Sequence, residues 1–185
     1  MPSTTVTART SQSHPLQISS INTPGGGRIG LTFCPGKKDP RAMTGAWDRD
    51  LDADLEAIRQ WGASTLVTLM ERHELEALHV PELGEAAETT GLEWLHLPIR
   101  DVSIPDKRFE ARWSAVSAKL LHALGRDESI VIHCKGGLGR TGLVAAMLLV
   151  QQGMSPGSAL LKVREVRPGA IETREQEDYL HTQPY

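Results

Sequence analysis

The chain has 185 residues, 39% hydrophobic and 23% charged, with a formal net charge of −3. That suits one soluble domain with a real core, and the mild acidity excludes a chain built around nucleic acid or an anionic membrane surface. Its two cysteines, Cys34 and Cys134, exclude a disulfide framework, and no Cys/His cluster stands at zinc spacing, so neither metal nor cofactor is expected.

Residues 1–16 are rich in Ser and Thr without periodicity and read as a flexible N-terminal tail, leaving 17–185 as the folded domain. They lack the apolar segment of a secretory signal, and the longest apolar run, 143–150, is far short of a membrane span. A cytoplasmic setting with reduced cysteines is the expectation. Residues 23–27 (TPGGG) predict a turn, and 28–33 a strand closed by Cys34, Pro35 and Gly36.

From there strands and helices alternate. Residues 50–61 carry Leu51, Leu55, Ile58 and Trp61 at helical spacing and stop at Gly62. Residues 64–70 read as a buried strand, 74–79 and 81–90 as short helices, with Pro81 in a first helical turn, and 92–99 as a strand. A loop over 101–106 leads into a long amphipathic helix over 107–124, with Phe109, Trp113, Val116, Leu120 and Leu124 near one face. The apolar strand 129–133 precedes a glycine-rich turn and a helix over 140–152. Further helices are expected from 155 to about 166 and over roughly 173–181, where Thr173 and Gln176 have capping-box spacing. This order predicts an α/β fold, a mainly parallel central sheet flanked by helices on both faces.

The chemistry concentrates after the strand 129–133. There His133 and Cys134 are followed by Lys135, Gly136, Gly137, Leu138, Gly139, Arg140 and Thr141. A loop from the end of a strand to the start of a helix offers unpaired amides and a positive helix dipole to an anion. Gly136, Gly137 and Gly139 let the backbone curl so that successive amides line a nest. The same field favours a thiolate at Cys134, the form that attacks phosphorus. Arg140 offers a planar fork to phosphoryl oxygens, and the Thr141 hydroxyl is expected to donate to the Cys134 sulfur as it leaves. A Walker-type nucleotide loop does not fit, because Cys134 and Arg140 stand where its first Gly and its Lys belong.

A departing alkoxide needs a proton. Asp101 and Asp106 both lie in the loop after the strand 92–99, on the expected rim. Asp106 directly precedes a helix and suits an N-cap, which leaves the acid role to Asp101.

The segment 133–142 resembles the signature of the cysteine-dependent protein tyrosine and dual-specificity phosphatase superfamily. Beyond it, the Cys34-Pro35-Gly36 stretch, Pro98-Ile99-Arg100-Asp101 and the run from Ala170 to Leu180 are similar to the kinase-associated branch, which acts on a cyclin-dependent kinase phosphothreonine. The resemblance implies a phosphatase-type fold and hydrolysis of phosphotyrosine or phosphoserine/threonine in a protein through a phosphocysteine. It implies Cys134 as nucleophile, Arg140 and the backbone of 135–139 as the phosphate cradle, Asp101 as acid, Thr141 as the aiding hydroxyl and His133 as a support. The tyrosine-specific relatives and the kinase-associated branch have Gln where this chain has Glu172. A carboxylate there repels phosphate, so Glu172 is expected to turn away and Gln176 to orient the hydrolytic water. Lys135 adds positive potential, and Cys34 is a candidate resolving thiol. The alternatives are a phosphoinositide phosphatase, or an arsenate reductase or sulfurtransferase on the same loop. Nucleic acid and integral membrane contacts are not expected as partners.

Overall fold

The computed structural model describes residues 7–183. In chain order its strands are β1 (Ser19–Asn22), β2 (Arg28–Thr32), β3 (Lys38–Asp39), β4 (Trp47–Asp48), β5 (Ala63–Thr68), β6 (Glu93–His96) and β7 (Ser129–His133). Its helices are α1 (Leu51–Trp61), α2 (Arg72–Ala77), α3 (Leu83–Thr89), α4 (Lys107–Gly125), α5 (Gly139–Gln151), α6 (Pro156–Val166) and α7 (Arg174–Thr182).

The main sheet runs β1-β2-β7-β5-β6. β1 is antiparallel to β2, and every other pairing is parallel. β7 lies in the middle, and each of its residues is buried. Neighbouring strand residues point to opposite faces, so that pattern requires cover on both. α4 and α5 both pack against β7. The chain leaving β7 therefore emerges at the centre of the sheet, between the ends of β2 and β5, where such sheets bind ligands.

Local chemistry sets the helix ends. Asp50 caps α1 by accepting from the Ala53 amide at 2.7 Å, and Ser155 caps α6 from the Ser158 amide at 3.2 Å. Asp106 accepts from the amides of Arg108 and Phe109, each at 3.0 Å, the cap its position predicts. α5 is buried from Gly139 to Val150, as an apolar helix at the centre of a fold must be. Each large apolar side chain it buries contributes about 1.5–3 kcal/mol.

Some boundaries differ from expectation. α3 begins at Leu83, so Pro81 lies in the turn before it. β6 ends at His96, but Leu97 N still donates to Thr68 O and Ile99 N to Leu69 O, both at 2.9 Å. Those bonds carry the chain along the sheet edge until Arg100. β1, β3 and β4 were not expected; the last two are too short to show any alternation.

The expected tail, 1–16, falls partly outside the described residues. Its described part, 7–16, is tied down rather than free. Arg9 N donates to Ala46 O at 2.9 Å, and Asp48 N to Arg9 O at 3.1 Å. Below them Arg49 and Asp54 form a buried fork, with Nε–Oδ2 and Nη2–Oδ1 both 2.8 Å. Arg49 Nη1 reaches the carbonyl of His14 at 2.7 Å, and Ser11 donates to Asp54 at 2.9 Å. The anchor is ionic and distant in sequence, which is why composition alone suggests a tail.

Candidate active site

The loop from Cys134 to Arg140 is held entirely from outside by its carbonyls. Cys134 O faces His133 Nδ1 at 3.3 Å, and Lys135 O accepts from Cys34 N at 3.3 Å. Gly136 O and Gly137 O accept from Arg167 Nη2 at 3.1 Å and Nε at 3.0 Å. Leu138 O accepts from the amides of Gly142 at 2.8 Å and Ile171 at 3.3 Å. In a planar trans peptide the N–H points opposite to the C=O. Outward carbonyls from Cys134 to Leu138 therefore turn the amides of Lys135 to Gly139 inward. None of those amides donates to a protein acceptor among the described residues.

Gly137 is required by contact as well as conformation, whereas a Cβ on Gly136 would meet nothing within 4 Å. Gly137 has φ +71°, and a Cβ there would stand 2.4 Å from the Thr32 carbonyl. A Cβ on Gly139 would stand 2.5 Å from Glu172 Oε2.

Arg140 is 2% exposed. Glu74, in α2, grips its two terminal nitrogens at 2.8 and 2.9 Å, and Nη1 also donates to Ile99 O at 2.9 Å. Nε has no partner, nor has the hydroxyl of Thr141. The expected donation from Thr141 to the Cys134 sulfur is thus not made in this structure, and two orphaned buried donors remain on the cradle.

Asp101 Oδ1 lies 3.0 Å from Arg140 Nη2, so the loop after β6 does bring a carboxyl onto the cradle. The following residue, Val102, has φ +54°. A β-branched residue in that left-handed region is strained, and here it sits directly beside the candidate acid. Asp106 faces its own helix instead.

A cavity of about 330 Å³ opens at this point, lined by Lys37, Asp101, Cys134, Lys135, Arg140 and Glu172 among others. Residues 40–154 match the family model described as "polymorphic toxin system, DSP-PTPase phosphatase". Cyclin-dependent kinase inhibitor 3 of Mus musculus is 34% identical over 155 residues, spanning 83% of this chain and 70% of that protein. The crystal structure of kinase-associated phosphatase with its catalytic-site cysteine changed to serine matches at TM-score 0.79 and 31% identity, over 90% of this chain and 93% of that one. The active form of Tk-PTP matches at TM-score 0.66 and 27% identity, over 90% and 98%. The chain belongs to the dual-specificity and tyrosine phosphatase family.

It is a cysteine-dependent protein phosphatase with an α/β, phosphatase-type fold. The phosphatase's remaining site residues are placed as follows. His133 is fully buried, and its Nε2 lies 2.7 Å from Thr68 Oγ1, which also accepts from Trp94 Nε1 at 2.8 Å. The Cys134 carbonyl can only accept, so the imidazole proton sits on Nδ1, and Nε2 accepts from the Thr68 hydroxyl, whose oxygen in turn takes the indole N–H. Burial, above all, lowers the His133 pKa to about 3 and keeps the ring neutral. The support it gives is therefore a hydrogen bond to the loop rather than a positive charge.

Glu172 does not turn away. It lines the phosphatase's cavity against Gly139, because Gln176 holds its backbone there: Oε1 accepts from the amides of Glu172 at 3.0 Å and Thr173 at 3.3 Å. The Gln176 Nε2 donates to Ser103 O at 3.1 Å. Buried and engaged at both ends, Gln176 braces α7 against the loop carrying Asp101, in place of the expected contact with water. Cys34 is also fully buried, and burial raises its thiol pKa far above the ordinary value, which disfavours the thiolate a resolving role requires.

Glu74, Arg167, Thr68 and Lys37 were missed in the sequence. Each lies far from Cys134 along the chain, and none belongs to a local pattern. Lys37 is buried with Nζ 4.4 Å from the centre of the Phe33 ring and 4.3 Å from that of Trp47. Burial lowers its pKa to about 8.

Proposed function

We propose that Cys134 attacks the phosphorus of a phosphorylated side chain and that Arg140 and the amides of Lys135 to Gly139 hold the phosphoryl oxygens. The observation that carries this reading is the outward engagement of every carbonyl from Cys134 to Leu138, which leaves a ring of donors around the sulfur and Arg140 Nε. In the first step the S–P bond forms, the P–O bond to the substrate breaks, and Asp101 gives its proton to the departing oxygen. Water then attacks phosphorus, the S–P bond breaks, and the water proton passes to Asp101. The unpaired Thr141 hydroxyl stands ready to stabilise the leaving sulfur. Fixed donors aimed at spreading phosphoryl charge supply most of the stabilisation.

The substrates are phosphotyrosine and phosphoserine/threonine in proteins, and the likeness to kinase-associated phosphatase makes a phosphorylated kinase one to test. We place the protein in the cytoplasm; among the described residues no helix is long and apolar enough to cross a membrane. Lys37 and Lys135 at the cavity favour a second reading, a phosphoinositide headgroup.

Cys134→Ser tests the nucleophile. Hydrolysis of p-nitrophenyl phosphate is expected to vanish while inorganic phosphate still binds; wild-type turnover in that variant rejects the assignment. Asp101→Ala is expected to slow substrates with poor leaving groups by about 10²–10⁴-fold, with less effect on p-nitrophenyl phosphate. An equal loss at Asp106→Ala instead would move the acid role.

A further inference from the structure

A second cavity, of about 310 Å³, lies on the other side of the loop that carries Asp101. Residues of that loop wall both spaces: Asp101 and Val102 face the catalytic cavity, while Pro98, Arg100, Ile104 and Asp106 face the second. Arg100, Arg108 and Arg112 line it. Arg112 Nη1 donates to His96 O at 2.8 Å. The guanidinium groups of Arg100 and Arg108 make no hydrogen bond and no ion pair among the described residues.

Two carboxylates, Asp106 and Glu71, share the lining with the three arginines. Asp106 Oδ1 accepts from the Arg108 and Phe109 amides, so the N-terminus of α4 is already capped. Glu71 Oε2 lies 3.9 Å from His73 Nε2. The lining is net positive, and its unsatisfied groups are arginine forks, which match carboxylate and phosphate oxygens. Phe109 and Leu97 are buried at its base, and Ile104 stands 41% exposed at its lip. A cavity with apolar walls and free guanidinium donors fits an anionic group on a short aliphatic stem.

We propose that this cavity is a specificity subsite for an acidic or phosphorylated side chain of the same protein substrate, near the phosphoresidue in the catalytic cavity. The proposal rests on the phosphatase reading above. Asp101 in the wall of one cavity and Arg100 in the wall of the other are consecutive residues, so the two spaces are close enough for one extended segment, which advances about 3.3–3.6 Å per residue, to reach both. The substrate class is a phosphoprotein segment with a second anionic residue about two to four positions from the one hydrolysed.

Binding to the Cys134→Ser protein tests this without turnover. Fluorescent phosphotyrosine peptides carrying Ala, Glu, Lys or phosphoserine at each position two to four residues to either side are titrated and compared as affinity ratios. Glu or phosphoserine at one such position is expected to bind about tenfold tighter than Ala, as suits a charge-assisted contact. Adding Arg100→Ala and Arg108→Ala is expected to bring that ratio to about one, and Arg108→Glu to make Lys the preferred residue. Equal affinities for the Ala, Glu and phosphoserine peptides would overturn the subsite, as would a preference that survives the double substitution. So would binding to phosphoinositide vesicles with no discrimination among the peptides. Failure of the phosphatase reading shows separately, as absent hydrolysis of p-nitrophenyl phosphate by the wild-type protein.

Discussion

Glu74 and Arg140 form a two-pronged ion pair behind the active loop, at 2.8 and 2.9 Å, and the arginine's third nitrogen is left without a partner. The pair fixes the guanidinium plane while keeping Nε free. Glu74 Oε2 also accepts from the Glu71 amide at 2.8 Å, so the carboxylate is itself held by the start of α2. Removing Glu74 leaves the buried guanidinium with Asp101 and the Ile99 carbonyl as its only partners among the described residues. Glu74→Ala is expected to lower stability by about 1–3 kcal/mol. Urea denaturation checks that value, and phosphate inhibition of p-nitrophenyl phosphate hydrolysis is expected to weaken in parallel.

Arg167 holds the Gly136 and Gly137 carbonyls that aim the neighbouring amides inward. Its own pKa is lowered, chiefly by burial, so it carries its charge there at a cost. Arg167→Ala is expected to raise KM for p-nitrophenyl phosphate and to remove about 1–3 kcal/mol of stability through the unsatisfied carbonyls. Arg167→Lys restores charge but lacks the paired donors, so its KM is expected to stay high.

Lys37 gives the phosphatase a basic-side pH response. Its folded pKa, about 8, lies below the ordinary 10.5. Between those values the unfolded chain holds a proton that the folded one has lost, so this group makes stability rise with pH across that window. Phosphate binding has the opposite slope, because the cavity loses a positive charge as pH passes about 8. Phosphate inhibition measured from pH 7 to 10 is expected to weaken through that point in the wild type, and to lose this step in Lys37→Met.

His133 acts on the acid side. Its folded pKa of about 3 lies below the ordinary 6.5, so its contribution is fully present above pH 6.5 and is lost as pH falls toward 3. Thr68→Val removes the acceptor of Trp94 Nε1 and the partner of His133 Nε2. A loss of about 1–3 kcal/mol is expected for each buried group left unsatisfied, measured by urea denaturation at pH 7.

Arg49 and Asp54 anchor residues 7–16. Asp54→Ala leaves a buried guanidinium without its carboxylate, and a loss of about 3–5 kcal/mol is expected. Limited proteolysis of that variant is expected to cut within 7–16 well before it does in the wild type.

The strand over 129–133, the turn after Cys134, the helix that follows and the Asp106 cap were legible in the sequence because each is local. Apolar period, glycine placement and the Cys134–Arg140 spacing act over a few residues of one chain segment, and covalent geometry alone brings sulfur and guanidinium to the same loop. What turned that loop into a cradle was not local. Glu74 reaches Arg140 and Arg167 reaches Gly136 and Gly137 only because α2 and the end of α6 pack where they do. Glu172 faces the cavity because Gln176 pins its amide, a contact that simple charge repulsion argues against. Ion pairs and carbonyl contacts between distant segments depend on how the layers stack, and no periodicity in the chain encodes them.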